Sequence, residues 1–476
     1  MLDSLRPARW LPTGNVRTIS AANFLTGLYQ NVLNVVLQRF VLSFGGGLTL
    51  LGFLQAVGGR FGLVAALVQP VGGHLADLRG RRALAIRGSL VAMAGLALLV
   101  AAAMFQGQAW AVPALLVPAY LCAGLGMISA PALQSAVAES AHPRARASAF
   151  ATTTFFWILP GALLAIPGGL IADLLGYGAL FGIAFALEAV NLVLFARFLR
   201  ETGPAAAGSI SWRERLAQSL HPPREVQGLF LIVAMDAFAW GLAAGIIYGL
   251  LSARFGFSNA ELASIAAAWA LFFALFLPPT AAFVNRFGPR RCILFSESIG
   301  VPIMIGWLVS SRPEHFVLVS VLSGLTSATW VPAIQTYIAN WTSPERRAGV
   351  IGSLAAFRGI AAFPAPFLGG LMYDHFGYSV PIVANLIGAA VVTATIYFVL
   401  RDPPRPEPDS TEGVLSPSPA PPESRADSGT TTERSAGPPP TSAGEQRRRM
   451  RSTTPRGREP IRRRTLPAGA DPSSRT

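Results

Sequence analysis

The sequence predicts an all-α integral membrane protein: twelve transmembrane helices in two pseudo-symmetric six-helix bundles, followed by a disordered C-terminal tail. Three observations predict it. Hydrophobic residues make up 52% of the chain and charged residues only 13%, about half the roughly 25% of a soluble domain. The apolar residues fall in runs that match the ~20-residue helix a bilayer's hydrocarbon layer requires. A long stretch of the first half also returns in the second half. Mean hydropathy is +0.47 even with a polar tail included, so polar residues are too few to cover a water-soluble globule of 476 residues.

Taken in order, MLDSLRPARW lacks the short apolar core and small-residue cleavage site of a signal peptide. Residues 1–16 therefore read as a retained N-terminus. Spans are expected at about 17–43, 48–74, 83–104, 110–137, 147–171 and 178–199, forming an N-terminal bundle over 17–199. A loop at 200–226 follows, then spans at about 227–251, 260–284, 291–311, 315–339, 348–372 and 379–400, within a second bundle over 227–401. Prolines inside spans, such as Pro160, Pro167, Pro278, Pro364 and Pro366, are tolerated where packed neighbours satisfy the freed backbone groups. The short alternating segments of a β-barrel are absent.

Arginine sets the orientation. The chain contains no lysine, and its net charge of +14 rests on arginine. Arg6, Arg9 and Arg17 precede the first span, and Arg79, Arg81, Arg82 and Arg87 lie between or beside spans two and three. Arg144, Arg146, Arg200, Arg213, Arg215, Arg224, Arg286, Arg290, Arg291, Arg346 and Arg347 fall in connections on that same side, whereas the alternate loops hold little beyond Arg254 and Arg312. The positive-inside rule then places both termini in the cytoplasm, on a multi-pass protein of the cell membrane. From residue 402 to 476 the chain turns to Pro, Ser, Thr, Gly and Arg and cannot bury enough apolar surface to fold. This basic tail reads as solvated, with anionic lipid headgroups as its expected contact ahead of nucleic acid.

The repeat joins the two bundles. APALQSAVAESAHPRARASAF at 130–150 aligns with VPAIQTYIANWTSPERRAGVI at 331–351 without a gap, at an offset of 201. Pro131, Gln134, Pro143 and Arg146 meet Pro332, Gln335, Pro344 and Arg347. Gly168, Gly169, Asp173, Gly176 and Tyr177 meet Gly369, Gly370, Asp374, Gly377 and Tyr378. Parallel repeats with a binding site between them are a transporter plan.

Between spans two and three, Gly73, Leu75, Ala76, Asp77, Gly80, Arg81 and Arg82 match the signature Gly-x-Leu-Ala-Asp-Arg-x-Gly-Arg-Arg. On this motif, the span count and the repeat, the chain resembles the major facilitator superfamily over about residues 15–401. Leu78 stands where that family usually has Arg. In the second copy Arg286, Gly288 and Arg290 fit, but Asn285 replaces the acid. The resemblance implies a central cavity lined by spans 1, 4, 7 and 10. It also implies a gate latch at the motif, a monomer, and alternating access for a small solute. Drug–proton antiporters of the family often carry an Arg in span four, and PALLVPAYLCAGLGMIS has none. Efflux and import, as by an organic-anion importer or uniporter, both stay open.

Candidate site residues follow from cost. An ionised side chain at mid-membrane costs about 2.5–3.5 kcal/mol on insertion scales. Arg60, Glu188, Asp236 and Arg358 lie at that depth. They either neutralise one another or serve transport. Asp236, with Glu188 behind it, is the expected proton-coupling carboxylate, and Arg60 and Arg358 would suit an anionic solute. Gln30, Asn34 and Gln38 recur every four residues along one face of span one. With Gln134, Trp240 and Gln335 they complete the expected cavity. Cys122 and Cys292 stand apart without metal spacing, and no phosphate loop or HExxH occurs. The reading is therefore a transporter with no cofactor, no metal and no enzymatic site. A non-transporting receptor or scaffold with a signalling tail is the alternative from another class.

Overall fold

A computed structural model of the chain describes residues 14–60, 62–142, 146–202, 213, 214, 217, 220–342 and 344–401. The expected tail at 402–476 and most of the segment 1–16 lie outside the described residues, as does much of the loop 200–226. What is described is a helical bundle. In chain order the first six helices are α1 (Gly14–Leu42), α2 (Gly47–Arg79), α3 (Arg81–Met104), α4 (Val112–Ser140), α5 (Arg146–Leu174) and α6 (Tyr177–Phe198). The second six are α7 (Arg224–Phe255), α8 (Asn259–Phe287), α9 (Pro289–Val309), α10 (Pro313–Trp341), α11 (Pro344–Ala362 continued by Ala365–Phe376) and α12 (Ser379–Val399). Eleven segments among the described residues are long and apolar enough to cross a membrane. Helix α1 has the length, at 29 residues, but its Asn and Gln stripe makes it more polar.

Local chemistry sets the helix ends. Gly80 and Gly288 sit at φ +88° and +84° with ψ 154° at the starts of α3 and α9, an essentially glycine-only backbone region that costs other residues roughly 1–3 kcal/mol. Ser258 and Glu261 form a capping box at the start of α8, satisfying N–H groups that a helix start leaves open. Pro289 and Pro313 occupy the first turns of α9 and α10, where a missing N–H costs nothing. Helix α2 is not continuous. It runs as Gly47–Gly58 and Leu63–Arg79, with Gly59 and Gly62 extended between them.

The up-and-down order defines a face carrying the start of α1 and the end of α12, here the terminal face, and an opposite, distal face. Helix α5 packs along α8, and α2 packs along the Ala365–Phe376 part of α11. These two contacts cross between the halves and exchange places under the repeat. The second part of α2 also touches the first part of α11.

The apolar cores divide unevenly. Near the distal face one cluster runs through both halves, joining Phe40, Leu48 and Leu51 to Ile246, Leu250, Trp307 and Phe316. Toward the terminal face the clusters part. Ile19, Ala85, Val137 and Phe195 form one within the first half. Leu229, Phe230, Ile293, Ile338 and Val392 form another within the second. Continuous burial makes the distal seam the tighter one, because apolar area removed from water or left unpacked is what separates close-packed from open interfaces.

Candidate functional site

Two carboxylates clasp the distal seam. Asp374, at the end of α11, accepts from the N–H groups of Leu48 (3.1 Å) and Thr49 (2.8 Å) and from the Thr49 hydroxyl (2.6 Å). Asp173, at the end of α5, accepts from the N–H groups of Asn259 (3.1 Å) and Ala260 (2.9 Å) and from Asn259 Nδ2 (2.7 Å). Each therefore caps a helix start in the other half, where free N–H groups and the helix dipole favour a negative charge. Arg39 adds an ion pair to Asp173 at 3.5 Å. Close approach needs glycine here. A Cβ on Gly370 would lie 2.1 Å from the Leu48 carbonyl oxygen, and one on Gly52 would lie 2.1 Å from that of Pro366.

On the terminal face the signature cluster is tied into its surroundings. The Arg81 guanidinium donates to Glu139 at 2.7 Å and to Asp77 at 3.3 Å. Glu201 accepts from the backbone N–H groups of Arg81 and Arg82 at 2.7 and 3.1 Å. Arg82 donates to the Ala196 carbonyl of α6, and Arg290 does the same to the Tyr397 carbonyl of α12 at 2.9 Å. Gly73 lies within α2, while Asn285 and Arg286 are exposed at the end of α8, with the Arg286 guanidinium 5.4 Å from the Phe287 ring centroid.

At mid-depth the ionisable residues separate by half. Asp236 on α7 and Glu297 on α9 are 5% and 1% exposed, and their carboxyl groups lie close enough to act on each other. Two buried carboxylates set this way repel each other, which favours one of them holding a proton. Arg358 on α11 is exposed and acts on Asp236 through its charge. In the first half Glu188 is 4% exposed and held by three donors. It accepts from the hydroxyls of Tyr29 (2.8 Å) and Ser89 (2.5 Å) and from Asn191 Nδ2 (3.0 Å). Arg60 lies at the break in α2, with its guanidinium 5.2 Å from the Trp157 ring centroid.

The polar stripe of α1 has more than one fate. Gln38 accepts from the Gly249 N–H at 2.8 Å and donates to the Gly245 carbonyl at 3.5 Å, tying α1 to the distorted turn Ala244–Ile246 of α7. Asn23 and Asn31 donate to the carbonyls of Thr153 and Trp157 on α5, each at 3.0 Å. Gln30 is half-buried and Asn34 exposed. Gln134 on α4 and Gln335 on α10, partners in the repeat, are both exposed. Trp240 packs edge-on against Trp307 of α9 at 6.2 Å.

The family model described as Major Facilitator Superfamily matches residues 19–227 and 229–458. The chain belongs to the major facilitator superfamily. Among curated relatives it resembles the multidrug resistance protein MdtG of Salmonella paratyphi A, 27% identical over 327 residues, or 66% of this chain and 77% of that one. The Salmonella typhi MdtG is 26% identical over 325 residues, with the same coverage. Three solved structures share the fold. The human organic anion transporter MFSD10 matches with a TM-score of 0.60 at 18% identity, over 82% of this chain and 100% of that one. The nucleoside transporter NupG gives 0.66 at 12% identity over the same shares. An inward-facing bacterial homologue of the lysosomal transporter Spinster gives 0.63 at 15%, over 81% and 96%.

Within this major facilitator chain, three features escaped the sequence reading. Glu297 follows the same mid-span rule that singled out Asp236, and FSESIG inside span nine displays it. The break in α2 is signalled by Gly58-Gly59 and Gly62 within five residues. The clasps of Asp173 and Asp374 had only their repeat register as a clue, because their partners lie 86 and 325 residues away along the chain.

Proposed function

We propose that this chain is a proton-coupled secondary transporter of the cytoplasmic membrane that exports small solutes by alternating access. Both termini lie on the cytoplasmic side in this reading, as the arginine distribution directs. The observation that carries it is the pair of buried carboxyl groups, Asp236 and Glu297, acting on each other beside the Arg358 charge. A carboxyl pair that gains or loses its proton as Arg358 moves relative to it supplies the link between a proton gradient and the rocking of the halves. The uneven division of the apolar cores supports a distal-closed state in that cycle. Export is supported by the MdtG relatives, which are named for multidrug resistance. Glu188, bonded by three donors within its own half, is assigned a structural role, and the Asp77–Arg81–Glu139 cluster the control of terminal-face opening.

The test is flux in proteoliposomes under an imposed pH gradient, using a fluorescent lipophilic dye. Wild-type flux should respond to the gradient. Asp236→Asn and Glu297→Gln should each abolish that response while leaving dye binding in place. An Asp236→Asn protein whose flux still follows the gradient would overturn the coupling assignment.

A further inference from the structure

The two halves repeat one device on the terminal face and differ in what lies beneath it. Gly80 and Gly288 open α3 and α9 with the same backbone turn, at φ +88° and +84° and ψ 154°. Two residues on, Arg82 donates to the Ala196 carbonyl and Arg290 to the Tyr397 carbonyl. Ala196 and Tyr397 correspond at the offset of 201. Helix α3 is thus tied to α6, and α9 to α12, in the same register at their terminal ends. The side chains below the two ties then correspond one to one.

Between α9 and α12 the outer surface is hollowed into an open groove of about 610 Å³. Its walls include Leu294, Ser298 and Pro302 of α9 and Thr393, Ala394 and Tyr397 of α12. Smaller side chains hollow it out. Ser298 stands where the first half has Leu90, Thr393 where it has Leu192, and Ala394 where it has Val193. Leu90 and Val193 project outward, both exposed.

Length and charge decide what fits. Arg290 to Pro302 spans about 18 Å of helix at 1.5 Å per residue, close to half of a hydrocarbon layer of about 30 Å. The groove therefore runs from the terminal edge of the bilayer toward its midplane, the depth of one leaflet. Its mouth is cationic. Arg290 and Arg291 precede Leu294 by four and three residues, so they continue the same face of α9. The bond to Tyr397 fixes the Arg290 guanidinium at the rim of the groove. Arg291 is exposed, as is Arg401 just past the end of α12, and no carboxylate is among the lining residues. Exposed Tyr397 and Phe398 flank the mouth, at the depth where aromatic rings border headgroups.

We propose that this groove binds a diacyl phospholipid with an anionic headgroup. Its phosphate sits among Arg290, Arg291 and Arg401, and one acyl chain lies between α9 and α12. A soluble phosphate ester would meet the same cations but leave the apolar groove below them unfilled. In the orientation that the arginines direct, the mouth opens at the cytoplasmic leaflet, whose anionic lipids attract basic residues near the surface. The site is independent of the transport reading above and adds a lipid partner to it.

The experiment uses the purified full-length chain in detergent, titrated with dioleoylphosphatidylglycerol. Dioleoylphosphatidylcholine supplies the same chains without net charge, and glycerol 1-phosphate the charge without chains. Phosphatidylglycerol should raise the melting temperature with concentration, and the other two should not. Arg291→Gln and Arg401→Gln should each raise its half-saturating concentration about fivefold, and together about 25-fold. Ser298→Leu with Ala394→Val installs the first half's side chains, keeps every charge, and should remove the saturable stabilisation. In the unmodified protein, phosphatidylglycerol with a photoreactive acyl chain should label residues 294–302 and 393–398 more strongly than the matching faces of α3 and α6. Unlabelled phosphatidylglycerol should compete with that labelling, and phosphatidylcholine should not. The labelling needs no variant to fold. Equal stabilisation by the two lipids, stabilisation by glycerol 1-phosphate, or labelling no stronger than on α3 and α6 would overturn the proposal. Unchanged binding in either double variant would overturn it too. Loss of binding on removing residues 402–476, with the groove variants unaffected, would place the lipid on the tail and refute the groove. None of these readouts involves flux, so failure of the transport reading leaves the site standing.

Discussion

Replacing Asp173 and Asp374 together by alanine should loosen the distal seam and leave each half folded. Each carboxylate accepts three hydrogen bonds from a helix start in the opposite half. Removing a capping oxygen costs about 0.5–2 kcal/mol, and losing a negative charge at a helix start about 0.3–1 kcal/mol. Asp374 is exposed, so solvent screening holds its share near 1 kcal/mol. Asp173 is exposed as a residue, but its side chain is 23% exposed with Arg39 beside it, which places its share at about 1–2 kcal/mol after screening. The clasps lie on separate helix pairs, so their effects add. The double variant should therefore lower the ratio of distal-closed to distal-open molecules by about 30- to 150-fold. Double electron–electron resonance reads this directly, with spin labels at Gln108→Cys and Arg312→Cys on the distal ends of the two halves and the native Cys122 and Cys292 removed. The population at long distances should rise in each single variant and rise further in the double variant. A distance distribution identical to the parent's in the double variant would refute the clasp.

Further outcomes follow from the same contacts. Gly370→Ala should open the distal seam in the resonance measurement, since its Cβ would meet the Leu48 carbonyl of the other half at 2.1 Å. Gly369→Ala, which meets the Leu242 carbonyl of its own half, should instead lower the melting temperature without moving those distances. Glu188→Gln should cost about 1–3 kcal/mol of stability, read by thermal unfolding, and leave the pH-gradient response of flux unchanged. Gly80→Ala, at φ +88° and ψ 154°, should destabilise by about 1–3 kcal/mol, and melting of the purified variant checks it.

The fold was legible because its strongest constraint, the thickness of the bilayer, acts on composition along the chain. Span positions follow from it, while the repeat rests on the self-alignment at an offset of 201 and the family on the signature at 73–82 together with both. Over the expected first span at 17–43 the chain forms the helix Gly14–Leu42, and the repeat register that paired Asp173 with Asp374 pairs the two clasps. Pairings between distant helices are another matter. Gln38 reads as a polar residue on an apolar helix, yet its amide bonds backbone that the local distortion at Ala244–Ile246 frees. Nothing near residue 38 encodes that distortion. The break in α2 was written in glycines, but glycine in a membrane helix serves packing as readily as interruption. Gly52 and Gly58 in the same helix press against Pro366 and Tyr120, so only the folded neighbours separate the two uses.

The two clasps also bear on how the halves meet. Each half offers a carboxylate and receives one, so the distal seam is isologous, as in a two-fold symmetric dimer whose protomers happen to share a chain. A half that tilts toward its neighbour along one edge engages one clasp and leaves the other carboxylate facing an unmatched helix start. Only a motion that keeps the two-fold relation satisfies both. Partial, lopsided closure is thereby penalised, and the seam favours two end states over a continuum between them.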